Sequence, residues 1–76
     1  VLLNYDPIGK TMFTKRGGNV AYEFPSTTKE RTEISAKTKV GTVKALSYNA
    51  QDGLWFYIPS MTSNYKWILA KEVEPQ

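Results

Sequence analysis

The sequence contains neither cysteine nor histidine. Without cysteine the chain has no disulfide and no thiolate metal site, and without histidine it lacks the commonest general base and the commonest zinc ligand. No apolar run approaches the length of a membrane span. We therefore expect a protein that is not an enzyme, that holds no metal or other cofactor, and that does not span a membrane.

The sequence also has only a small excess of positive charge. Ten Lys and Arg residues face seven Asp and Glu residues, which gives a formal net charge of +3. Such an excess is compatible with weak attraction to nucleic acid or another anionic polymer, and equally with the solubility of an ordinary small domain. At 76 residues the chain makes one domain with a core of modest size.

Aromatic residues and turn signals concentrate in residues 52–70, where we expect two antiparallel strands. Period-2 alternation places Leu54, Phe56 and Ile58 on the core face of the first strand. It places Trp55 and Tyr57 on the opposite face. The first strand therefore builds the core with one side and carries rings on the other.

The second run, residues 65–70, repeats this arrangement, with Ile68 inward and with Tyr65 and Trp67 on the opposite face. Residues 39–48 are rich in β-branched side chains and predict a preceding strand with a bulge at Gly41 or near Ala45. A sheet of about five such short antiparallel strands must curl to bury its apolar face. The pattern predicts an all-β fold, a small open barrel.

The first half of the chain gives weaker signals. Two glycines and an asparagine at residues 17–19 predict a hairpin turn between a strand at residues 10–15 and one at residues 20–24. Residues 25–33 are polar, without either period, and predict a long surface loop.

Taken in order, several short motifs resemble the bacterial SH3-like (SH3b) family. The motifs are Asn19-Val20-Ala21 with Pro25-Ser26-Thr27, Gly41-Thr42-Val43, the Asp-Gly-Leu-Trp-Phe-Tyr-Ile run of residues 52–58, and Trp67-Ile68. The chain departs from the family pattern at Ala21, Phe24 and Lys66. The resemblance implies an SH3-like barrel over residues 19–76. Residues 1–18 have no counterpart in the pattern, and we expect an N-terminal extension or an extra strand or hairpin of the same compact domain.

The resemblance also implies a function. Members of the family are binding modules that dock cell-wall peptidoglycan or a peptide or protein partner, usually outside the cell or in its envelope. Aromatic rings suit such docking because they offer a large contact area at a low cost in rotamer entropy. The predicted ligand-contacting rings are those of Tyr22, Trp55, Tyr57, Tyr65 and Trp67. The alternative for each ring is that it only covers an end of the barrel, and for Tyr48 core packing is the expectation.

Two other classes of function stay open. Lys37, Lys39 and Lys44 lie in a stretch without acidic residues, and alternation places Lys37 and Lys39 on one side of an extended strand. They predict either a basic strip for nucleic acid or an edge protected by solvated lysines. The chain could also be a structural or assembly module of a larger envelope or phage protein. No nucleophile, base and orienting group can be named together for an enzyme.

Overall fold

The structure is a computed structural model that describes residues 3–16, 19–28, 30–61 and 64–75 of the chain. These residues form eight short strands and one turn of 3-10 helix. The elements are β1 (Thr11–Thr14), β2 (Asn19–Tyr22), β3 (Arg31–Ile34), β4 (Lys39–Thr42), β5 (Ala45–Asn49), β6 (Gly53–Tyr57), β7 (Trp67–Leu69), the 3-10 helix (Ala70–Glu72) and β8 (Val73–Pro75).

The strands form two antiparallel sheets. The smaller sheet has the order β4-β1-β8, and the larger has the order β3-β2-β7-β6-β5. No ladder joins the two sheets among the described residues, so the barrel is open. The all-β class and the open antiparallel architecture predicted from the sequence are confirmed. The strands number eight, against the five or so expected, because the chain passes between the sheets at short intervals.

The predicted strand at residues 39–48 shows how this happens. It divides at Val43 into β4, which belongs to the smaller sheet, and β5, which belongs to the larger. Met12 lies opposite Gly41 and Phe13 lies opposite Lys39, so Val40 is an extra residue on β4. The irregularity adjoins Gly41, one of the two places where a bulge is predicted.

Two predictions about the first half of the chain are wrong. β1 and β2 do not pair as a hairpin, because β1 pairs with β4 and β8 whereas β2 pairs with β3 and β7. Gly17 and Gly18, at the predicted turn, lie outside the described residues. A turn signal tells where a chain reverses and leaves open which strand it then joins. Residues 31–33, predicted as the end of a loop, form strand β3 together with Ile34 at the edge of the larger sheet.

The main core lies between the two sheets. Its largest fully buried members are Met12 from β1, Phe56 from β6, Ile68 from β7, and Ile58 just beyond β6. Phe56, Ile58 and Ile68 thus occupy the core face that alternation predicts. β1 is the central strand of the smaller sheet, so the segment before residue 19 supplies both a strand and a core side chain.

A lysine fixes the connection between β6 and β7. The Lys66 ammonium group donates to the carbonyl oxygen of Pro59 at 2.8 Å and to that of Met61 at 2.7 Å. Thr62 and Ser63 in this connection lie outside the described residues. A charged donor shared by two carbonyls is stronger than a neutral pair, so the lysine that departs from the family pattern stabilises the connection that precedes Trp67.

Candidate functional site: the aromatic face of the larger sheet

The larger sheet is apolar on both faces. Opposite the main core, Tyr22, Trp55 and Leu69 form a second buried cluster, against which Val20 and Trp67 pack. We call this side of the sheet the aromatic face. Its position follows from alternation, because residues two apart on a strand share a side.

Strand register sets the order of the rings. Tyr22 on β2 lies opposite Trp67 on β7, and Trp67 lies opposite Tyr57 on β6. These three residues form one row across neighbouring strands. Trp55 lies in the next row, opposite Leu69. The sequence prediction that Trp55, Tyr57 and Trp67 share the side away from the core is confirmed.

The predicted outward exposure of Trp55 is wrong. Its side chain is fully buried, and its ring meets that of Tyr22 edge to face, with 5.1 Å between centroids and an interplanar angle of 89°. The indole Nε1 of Trp55 is buried with no hydrogen-bond partner among the described residues. Trp55 therefore offers no surface to a ligand in this conformation and serves as the centre of the second cluster.

The loop of residues 23–28 joins two distant parts of the larger sheet. It leaves β2 beside Tyr22 and reaches the turn between β5 and β6, where the Asn49 side-chain amide donates to the carbonyl oxygen of Pro25 at 3.4 Å. Asn49 lies opposite Gly53 on the aromatic side of β5, one row beyond Trp55. The loop therefore connects the end of β2 with the turn that precedes β6.

One carboxylate anchors the loop. Asp52 accepts from the Thr27 hydroxyl at 3.1 Å and from the Thr27 backbone N–H at 3.4 Å. It also accepts from the Asn49 side-chain NH₂ group at 3.2 Å, while the Asp52 backbone N–H donates to the side-chain Oδ1 of Asn49 at 2.6 Å. Asp52 lies in a turn, as the sequence predicts, but its second role in holding a segment 25 residues away was missed. Sequence spacing carries no signal for a contact between such distant residues.

Two rings of the aromatic face remain partly accessible to solvent. Tyr57 and Trp67 are half-buried, and their ring centroids lie 5.0 Å apart with an interplanar angle of 46°. Their positions are set by two paired backbones, so the pair is rigid at its base. A tilted pair of large rings, apolar on its faces and polar at the phenol and indole rims, is suited to stacking against a flat ligand group.

Tyr22 is not an exposed contact residue either. Only 5% of its surface is accessible, because its ring packs on Trp55 and the guanidinium carbon of Arg31 lies 5.7 Å from its centroid. This cation–π contact places a positive charge at the end of the row formed by Tyr22, Trp67 and Tyr57. Arg31 was not singled out from the sequence, since its strand was read as a loop.

Tyr65 and Tyr48 both lie away from their predicted positions. Tyr65 packs against the main core and lines a cleft with Thr32 and Met61, so it does not join Tyr57 on the aromatic face. Its residue precedes β7, where alternation does not apply. Tyr48, predicted as a core residue, is 63% exposed on the edge strand β5.

The three lysines do not form one strip. Lys37 lies in the turn after β3 with a φ of 57°, so it is not on an extended strand with Lys39 as predicted. Lys37 and Glu74 line the same cavity. Lys39 and Glu33 both line the cleft between β3 and β4. Lys44 follows β4 at its far end. All three are exposed, and the two acidic neighbours reduce the local positive charge.

Two of the cavities that the described residues form lie away from the aromatic face and differ in character. A cleft of about 370 Å³ opens between the edge strands β3 and β4. An apolar cavity of about 380 Å³ is lined by Leu3, Tyr5, Leu54 and Val73, among others, and burial raises the pKa of the Tyr5 phenol above its ordinary value. In the described part of the chain, no three or more Asp or Glu side chains are grouped to hold a metal ion.

Comparison with protein-family models, with curated proteins and with solved structures gives no match for this chain. The resemblance to SH3b domains thus rests on the short motifs named above. In the portion that the structure describes, no helix is long and apolar enough to cross a membrane.

Proposed function

We propose that the chain is a non-catalytic binding module that docks a cell-wall polymer, peptidoglycan, through the partly exposed rings of Tyr57 and Trp67. The observation that carries the proposal is the ring pair itself, half-buried and 5.0 Å apart on a rigid two-stranded base. Rings held in this way lose little conformational entropy on binding, and truncation of such residues is often costly at interfaces.

Arg31 and the loop support the choice of a polymer with peptide and sugar parts. The loop of residues 23–28 leaves β2 directly after Tyr22, and it carries Phe24, half of whose surface is exposed, and the hydroxyl groups of Ser26 and Thr28. Apolar rings, hydroxyls and one cation suit a ligand that combines flat sugar rings with amide and carboxylate groups. A location outside the cell or in its envelope belongs to this proposal.

The test is co-sedimentation of the purified protein with peptidoglycan sacculi. Trp67→Ala and Tyr57→Ala should each weaken retention about 10-fold or more, the loss typical of a ring at the centre of an interface. Ile8→Ala is the matched control, because Ile8 is an exposed apolar residue whose surface is 44% accessible and which lies outside the aromatic face.

Retention that is unchanged in both ring variants would refute the site. Failure of the unaltered protein to bind sacculi would refute the ligand. If single- or double-stranded DNA were bound instead, with an affinity that falls steeply with salt, the nucleic-acid alternative would take its place. All variants should keep the β-rich circular dichroism spectrum of the unaltered protein, so that loss of binding is separated from loss of fold.

A further inference from the structure

Among the four edge strands of the two sheets, β5 differs from the rest. β3 carries Arg31 and Glu33, β4 begins with Lys39, and β8 contains Glu74. Charged residues on edge strands oppose pairing with other chains. β5 has the sequence Ala-Leu-Ser-Tyr-Asn, without any charge. Within the described residues its backbone ladder is formed on one side only, with β6.

The same strand exposes two large apolar side chains. Leu46 is 44% and Tyr48 is 63% exposed, and both lie on the side of the sheet that faces the main core. Their cross-strand neighbours on β6 are Phe56 and Leu54. The apolar core face of the larger sheet thus extends to its β5 edge, where the side chains of Leu46 and Tyr48 are exposed to solvent.

We propose that β5 pairs with β5 of a second copy of this chain, in antiparallel orientation about a two-fold axis through Ser47. In this register Leu46 lies opposite Tyr48 of the second copy, and Tyr48 lies opposite Leu46. An isologous interface needs such self-complementarity. The pairing satisfies a row of edge backbone groups and covers both exposed side chains with an aliphatic–aromatic pair at two equivalent places.

Charge opposes this register only weakly. Lys44, at the end of β5, lies about 20 Å from Lys44 of the second copy, since six residues of extended chain separate the two rows. This distance exceeds the Debye length of about 8 Å at physiological salt. The net charge of +3 on each chain therefore opposes the pairing weakly.

The dimer has a consequence for the proposed ligand site. A two-fold axis normal to a continuous sheet keeps equivalent faces on one side, so both Tyr57–Trp67 pairs point in the same direction. A polymer that spans both pairs would then be held by two contacts at once, and its apparent affinity would rise. This consequence rests on the proposed function, whereas the pairing itself does not.

Introduced cysteines test the register, because the chain has no cysteine of its own. Facing residues in an antiparallel pair have Cα atoms about 4.5–5.5 Å apart, within the disulfide range of about 4.4–6.8 Å. Ser47→Cys should therefore form a disulfide-linked dimer readily under mild oxidation. Ala45→Cys is the matched control on the same strand and side, and its two copies would lie about 14 Å apart, so it should stay monomeric.

Sedimentation equilibrium of the unaltered protein tests the pairing itself. Leu46→Lys should weaken the dimer about 10-fold or more, because it places a charge against Tyr48 of the second copy. Ile8→Lys, which changes an equally exposed residue away from β5, should leave it intact. A protein that is monomeric at all concentrations, or Ala45→Cys that cross-links as fast as Ser47→Cys, would overturn the proposal. If Glu33→Arg disrupted the dimer and Leu46→Lys did not, the interface would lie at β3, and the proposal for β5 would be wrong.

Discussion

Replacement of each tryptophan separates the two parts of the aromatic face. Trp55 is fully buried in the second cluster, and truncation of such a residue to alanine costs about 3–5 kcal/mol. A chain of 76 residues has a total stability of about 4–11 kcal/mol. Trp55→Ala should therefore remove about a quarter or more of the free energy of unfolding, and it should lower the melting temperature by at least about 12 °C.

Trp67→Ala should behave differently. Trp67 is half-buried and its main ring contact is Tyr57, so the loss should be about 1–2 kcal/mol. Urea titrations followed by circular dichroism give both values on one scale. Equal destabilisation by the two substitutions, or a Trp55→Ala protein that is as stable as the unaltered chain, would refute the assignment of Trp55 to structure and Trp67 to the surface. Phe24→Ala, at an exposed loop position, should change stability by less than about 0.5 kcal/mol.

Two further predictions concern the loop and the β4 irregularity. Asp52→Asn removes the charge from the two hydrogen bonds with Thr27, so it should lower the free energy of unfolding by about 1–2 kcal/mol and speed amide hydrogen exchange at Thr27. Asp6→Asn, whose hydrogen bond with the Ile8 N–H is exposed, should change neither quantity. Slow exchange at Thr27 in Asp52→Asn would contradict the anchoring role. Gly41→Ala should destabilise the fold by about 1–3 kcal/mol more than Gly53→Ala. Both glycines have positive φ, but only at Gly41 would a Cβ collide with the Ser60 side chain. Equal unfolding midpoints in urea would contradict this difference.

Period-2 alternation was sufficient to assign the faces of β6 and β7. It placed Phe56 and Ile68 in the core, and it placed Trp55 and Trp67 on the other side, as the structure does. The same rule gave no information on exposure, because it describes one strand and its two sides. Whether the outer side of Trp55 is open depends on packing from other strands, above all on the ring of Tyr22 from β2.

Long-range pairing accounts for the other differences. β3 has the sequence Arg-Thr-Glu-Ile, with three exposed residues, and no local pattern distinguishes it from a polar loop. It becomes a strand because β2 offers it a backbone edge. Core packing was predicted for Tyr48, but β5 is the last strand of its sheet and Tyr48 is 63% exposed there.

The aromatic face links stability to the proposed binding. A short chain that makes both faces of one sheet apolar must cover much of the second face, and here Trp55 is fully buried with Tyr22 and Leu69. Tyr57 and Trp67, one row away, stay half-buried. Apolar ring surface left in water costs free energy that a ligand recovers on binding. In the proposed function, the Tyr57–Trp67 pair is therefore the part of the sheet from which a ligand gains binding free energy.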